Sequence, residues 1–182
     1  MIRRPTVHLV AAVTLLVGVP TVVGLEGAQE ASAYATLGCR FFSASISYHN
    51  GGDTTYGPVI SNAISDWGNA TSHISFSGVS SGGFGLFATG WGNSGWDGYT
   101  FVSTCTSGVW AQNPTSFANR YYTDSYGYSG QKSIFSHEIG HALGLAHVPS
   151  TSAIMQPSSA RYTLYGLVSP QSDDINGVNS IY

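Results

Sequence analysis

The sequence predicts an α+β domain, on three observations: strand-like alternation early in the mature region, apolar stripes at helical spacing, and a capped helix near the C-terminal end. Phe42, Ala44, Ile46 and Tyr48 alternate with polar residues, the period of a half-buried strand. Asn50-Gly51-Gly52-Asp53 then marks a turn. Val59, Ile60, Ala63, Ile64 and Trp67 recur at helical spacing, which predicts a long amphipathic helix from Pro58 to about Ala70, packed on the sheet. Ile74 to Ser77, Phe84 to Ala88, Tyr99 to Cys105 and Phe117 to Thr123 read as four further strands, separated by loops rich in Gly, Ser and Asn. A second helix is expected from about Lys132 to Leu143. A last helix is expected from Ser169, an N-cap, with Pro170 at the first helical position and Ile175, Val178 and Ile181 as its apolar stripe.

The first 33 residues read as a secretory signal. Arg3 and Arg4 give a charged start, Val7 to Val23 is mostly apolar, and Ala31-Ser32-Ala33 is an A-x-A cleavage site. The apolar run contains Pro20 and is short for a membrane span. Residues 34–182 then form one domain, with no repeat evident, and a secreted, extracellular protein is expected. Hydrophobic residues make up 42% of the chain, ample for a core. A formal charge of −3 gives no electrostatic footprint for nucleic acid, and no later apolar stretch is long enough for stable membrane association. Cys39 and Cys105 form an even pair, read most simply as one disulfide in an oxidising compartment. Two other readings of Cys39 stay open at this point: a ligand to an active-site metal, or a lipidated cysteine.

The segment that carries chemistry is His137-Glu138-Ile139-Gly140-His141-Ala142-Leu143-Gly144-Leu145-Ala146-His147, which holds three of the six histidines. On a helix, His137 and His141 stand one turn apart on the same face, so both imidazoles reach one metal at the roughly 2.0–2.1 Å of a zinc–nitrogen bond. Glu138, rotated off that face, reaches a water there and is the candidate general base. His147 would lie about 9 Å further along a continuous helix, too far to join. The helix must therefore stop, and Gly144 stands where a left-handed residue ends it. Three neutral imidazoles leave zinc an open position, the mark of a catalytic site. The simpler alternative is an amphipathic helix with scattered histidines, whose core face would be Ile134, Phe135, Ile139, Ala142 and Leu143. That alternative does not account for Gly144 and His147.

With these residues in place, the chain resembles the metzincin clan, whose HExxHxxGxxH signature and methionine turn are met at His137, Glu138, His141, Gly144, His147 and then Met155 in Ile154-Met155-Gln156-Pro157. The pattern is most similar to the matrixins, in a small bacterial-type, secreted version, over roughly Ile46 to Tyr182. The resemblance implies a twisted mixed five-stranded sheet with two long helices, an active-site cleft, and an irregular C-terminal part ending in a helix. It implies an endopeptidase with one catalytic zinc ion held by His137, His141 and His147, with Glu138 as base. Protein or peptide substrates would lie extended along a sheet edge, and the protein would act as a monomer. Pro157 and Tyr162 are candidates for the substrate pocket, and Asp173 or Asp174 for a buried bond to the methionine turn. The chain departs from the family pattern in three places. It has no Pro-Arg-Cys-Gly switch segment, Val148 stands where the animal enzymes usually have serine, and no histidine- and aspartate-rich loop is visible between Gly90 and Asp124. A structural calcium or second zinc is therefore left open, and His49 or His73 would need partners that the sequence does not place. The other functional alternatives are a non-catalytic zinc-binding module on the same scaffold, or another HExxH hydrolase with a different third ligand.

Overall fold

The computed structural model describes residues 34–182; the signal-sequence reading falls on residues 1–33 and lies outside them. In chain order the elements are β1 (Ala35–Thr36), β2 (Ser45–Asn50), α1 (Tyr56–Ala70), β3 (Ser75–Gly78), β4 (Phe84–Thr89), β5 (Gly98–Phe101), β6 (Cys105–Thr106), β7 (Val109–Trp110), β8 (Thr115–Asn119), α2 (Arg120–Thr123), α3 (Tyr128–Leu143), β9 (Leu145–Ala146), α4 (Ala160–Thr163) and α5 (Ser172–Ile181). Five strands make the main sheet, in the order β3-β2-β4-β8-β5. Its first four pair in parallel and β5 runs antiparallel at the edge. This is the mixed five-stranded sheet expected of an α+β domain, with α1 and α3 as its two long helices.

Both long helices pack on one face of the sheet. Val59, Ile60, Ala63, Ile64 and Trp67 of α1 are buried against Ile46, Phe84, Leu86 and Ala118 of the sheet and Ile134, Phe135 and Ile139 of α3. Trp67 fixes the helices to each other, its indole N–H donating to the Ser136 carbonyl at 2.9 Å. The opposite face carries aromatics instead: Phe87 stacks on Phe117 at 5.9 Å, and Tyr99 and Phe101 are exposed. At the β8–β5 edge the inner face turns polar, with Thr100 and Ser116 facing Glu138 of α3.

Several boundaries differ from the sequence expectation; the fourth strand ends at Phe101, and Cys105 opens the separate short strand β6. The first main strand starts at Ser45, and Phe42 is 87% exposed while its neighbour Phe41 enters the core. The fifth strand ends at Asn119, whose buried amide holds the 91–96 loop, and the chain turns into α2 instead of continuing to Thr123. α3 begins at Tyr128, because Ser129 and Gly130 are its first turn and not a loop; a Cβ at Gly130 would lie 3.0 Å from the Tyr162 ring. α5 begins at Ser172, after Gln171, whose N–H donates to Asp174 at 2.8 Å; Ser169 and Pro170 precede it.

Cys39 and Cys105 are joined in a disulfide, their Cα atoms 5.9 Å apart, which removes both other readings of Cys39. Residues 35–39 thereby form a strap: β1 pairs with β9 and the Leu37 N–H donates to the Gly144 carbonyl at 2.7 Å. No helix among the described residues is long and apolar enough to cross a membrane.

Candidate active site

α3 is buried on nearly every side, including its polar residues Gln131, Ser133, Ser136, His137 and Glu138. It ends at Gly144, in the left-handed region at φ 107°, where its N–H caps the last turn. A Cβ at Gly144 would collide with the Cys39 carbonyl oxygen, so the position requires glycine for space as well as for conformation. The chain then doubles back through β9, and His147 returns towards the helix.

The result is a cluster of three imidazoles. The Nε2 atoms of His137, His141 and His147 lie 3.0–3.1 Å from one another. His137 Nδ1 faces the Ile154 carbonyl at 2.7 Å, and His141 Nδ1 faces the Leu145 carbonyl at 2.9 Å. A carbonyl only accepts, so each of these Nδ1 atoms carries the proton and each Nε2 presents a lone pair to the cluster. Two lone pairs 3.1 Å apart repel unless a cation lies between them. A triangle of this size has a point about 2.0–2.1 Å from every corner, about 1 Å off its plane, so the donor set fits a zinc ion with a further position open. Burial lowers all three histidine pKa values, His141 to about 4, with the Arg161 charge adding to the effect; the imidazoles are thus kept neutral, as ligands must be. It is the one such cluster of metal-binding side chains among the described residues. His49 instead meets the Val79 carbonyl and the Phe87 ring.

Glu138 is 4% exposed, and burial raises its pKa to about 7, against the hydrogen bond from Thr100 and the charge of Arg161. The Thr100 hydroxyl donates to its Oε2 at 2.7 Å. Gly98, on the same edge strand, leaves room for the other oxygen: a Cβ there would sit 2.6 Å from Oε1.

Below the cluster, Met155 is 1% exposed, with its sulfur against Gly140 of α3. Asp174 holds this segment from α5, accepting the Ile154 N–H at 2.8 Å and the Met155 N–H at 3.2 Å; of the two adjacent aspartates it is the one that reaches there. The Val148 N–H closes the loop onto the Met155 carbonyl at 3.1 Å. A cleft of about 650 Å³ opens over the three histidines and Glu138, with Gly98, Tyr99 and Thr100 of β5 along one side and Pro157 on the other. Tyr162 lines a smaller cavity beside it.

Thr100, Gly98 and Arg161 were not singled out by sequence. Thr100 and Gly98 carry no sequence signal. Arg161 does: with Arg40, Arg120 and Lys132 it makes up the cations after residue 33, and it follows the methionine turn closely.

An edge strand and a cleft border three converging histidines beside a buried carboxylate, a group that could hold a metal ion. Residues 109–182 match the matrixin family, a family of zinc metalloendopeptidases. Over 49 residues, 27% of this chain, the sequence is 47% identical to interstitial collagenase of Bos taurus. It is 43% identical over 49 residues to matrix metalloproteinase-20 of Homo sapiens and to matrix metalloproteinase-19 of Mus musculus. The matched region spans only about 10% of the length of these relatives. In fold, the chain is similar to a chain of the GM1 bound form of the ECX AB5 holotoxin, with a TM-score of 0.56 and 16% identity, covering 82% of this chain and 86% of that one. At that identity the likeness concerns the fold alone.

Proposed function

We propose that this chain is a secreted zinc endopeptidase of the matrixin type, in a small bacterial version, that cuts extended polypeptides. The observation that carries the proposal is the convergence of three imidazoles beside a buried carboxylate, in a cleft bordered by a free strand edge. His137, His141 and His147 are the proposed zinc ligands. Bound there, zinc supplies Lewis-acid polarisation of a carbonyl and acidifies water.

The chain's own residues do the rest. Strand β5 offers its outer backbone groups to a substrate that adds as a further strand. Glu138, held by Thr100 through one oxygen, takes a proton from the attacking water as the new C–O bond forms at the scissile carbonyl. It delivers that proton to the departing amide nitrogen as the C–N bond breaks. Burial of Glu138 in the metal-free site favours its protonated form, which supports its part as proton carrier. Met155 and Asp174 keep the floor under the histidines in place. Export is supported by the leader-like residues 1–33 and by the disulfide.

The test is Glu138→Ala. Zinc content and thermal unfolding should match the parent protein, while peptide cleavage falls by at least about 100-fold. A variant that cleaves at the parent rate would rule the mechanism out.

A further inference from the structure

Arg161 is 2% exposed, yet it belongs to none of the three ion pairs among the described residues. Its Nη1 donates to the Ser158 carbonyl at 3.2 Å and faces the Gln156 carbonyl at 3.5 Å. Its Nε is buried with no partner. A guanidinium enclosed without a carboxylate is costly, because its lost hydration is not replaced by a counter-charge. Asp97 and Glu138 act on it through space, but neither forms an ion pair with it.

Arg161 stands between two spaces. One is the cleft over the histidines; the other is the adjoining cavity of about 240 Å³, walled by Tyr126, Gly130, Ile134 and Tyr162. Ser133, on α3, lines the same cavity, and its hydroxyl is also buried without a partner. Gly130 keeps the cavity open, since a Cβ there would lie 3.0 Å from the Tyr162 ring and 3.1 Å from the Tyr126 Cβ. Thus the lining of one space beside the cleft includes a cation without a counter-charge and a hydroxyl without a partner, among mostly apolar walls. A carboxylate on a short apolar stem satisfies all of these features.

We infer that this cavity is a specificity pocket that takes an aspartate or glutamate side chain of the substrate, with Arg161 as the selecting residue and Ser133 as a second donor. The inference rests on the proposed peptidase activity, and it concerns which chains are cut. A neutral side chain of the same shape leaves the guanidinium unpaired, so discrimination should be sharp.

Cleavage mapping on a diverse peptide library tests this with the unmodified protein. Asp or Glu should be enriched at one fixed position beside the cut bond. Replacing it with the isosteric amide in the best peptide should lower kcat/KM by at least about tenfold. Arg161→Met should abolish that discrimination, and Arg161→Lys should retain part of it. If the unmodified protein cuts peptides with no acidic preference, the inference is overturned and the proposed activity stands. A second readout needs no turnover: binding of N-acetyl-glutamate amide against N-acetyl-glutamine amide to the zinc-loaded protein, followed by ligand-observed NMR. Selective binding of the glutamate form without any peptide cleavage would uphold the pocket and overturn the activity. Equal binding of the two amides would overturn the pocket.

Discussion

Gly144→Ala tests the turn that brings the third histidine back. At φ 107° the position lies beyond the narrow left-handed region open to L residues, and even within that region the conformation costs about 1–2 kcal/mol. The added Cβ also overlaps the Cys39 carbonyl oxygen. That oxygen cannot retreat freely: the strap is pinned by the disulfide, by β1–β9 pairing and by the 2.7 Å bond from Leu37 to the Gly144 carbonyl. Relief means giving up at least one such hydrogen bond, about 0.5–1.5 kcal/mol more. The total is roughly 1.5–3.5 kcal/mol, or a Tm lower by about 3–14 °C for a domain of this size. Calorimetry with and without chelator should show the loss, and zinc content should fall with it as His147 moves. Gly144→Asn separates the two causes. Asparagine tolerates the left-handed region better but carries the same Cβ, so a variant as damaged as the alanine one identifies the collision as dominant. A Gly144→Ala protein within about 1 °C of the parent, with full zinc content, would refute the reasoning.

Two further outcomes follow from the buried polar groups. Asp174→Ala leaves the N–H groups of Ile154, Met155 and Gln171 without their acceptor, at about 1–3 kcal/mol for each donor that finds no other partner. The burial cost of the carboxylate is recovered in part, so a net loss of roughly 2–4 kcal/mol is expected in urea unfolding, with Asp174→Asn intermediate; a change below about 0.5 kcal/mol would contradict the bracing role. The metal-free protein should lose stability as pH falls from about 6.5 to about 4, since the unfolded histidines take up protons there while the folded ones, depressed by burial, do not. Glu138 opposes this, because its raised pKa lets the folded state gain a proton as pH falls. Its shift is similar in size to that of His141, so the two nearly cancel; Asp173 and Asp174, also raised by burial, act with Glu138 towards the acid end, and the prediction is that His137 and His147 outweigh them. A urea midpoint that is flat or rises on acidification across that window would show the sign to be wrong.

What the sequence revealed depended on whether the determining interactions were local. Val59 to Trp67 marked α1 because a helix face is set by spacing alone. His137, His141, Gly144 and His147 marked a folded cluster because the metal reach and the helix rise together require the chain to turn. Asn119 went unrecognised as a strand end because its side chain bonds to Trp91, Gly92 and Ser94, a loop more than twenty residues away. Phe42 continues the alternation of a half-buried strand, yet alternation does not say which of two adjacent aromatics faces inward, and Phe41 takes that place. Thr100 and Gly98 were invisible for the same reason: their significance lies in facing Glu138 across the sheet edge. The start of α5 moved from Ser169 to Ser172 because the deciding partner, Asp174, also serves the methionine segment.

The strap of residues 35–39 ties the geometry of the site to the compartment in which the chain folds. Cys39 and Cys105 close a loop of 66 residues, a constraint of about 4 kcal/mol on the unfolded chain. The same tether presses Cys39 against the glycine turn, and Leu37 beside it forms part of the cleft wall. In reducing surroundings the tether is absent, and the turn that carries His147 loses its backing. Thiol oxidation is therefore expected to favour the turn that brings His147 to the cluster. A newly made chain held reduced would be slower to keep its metal than one that has reached an oxidising space.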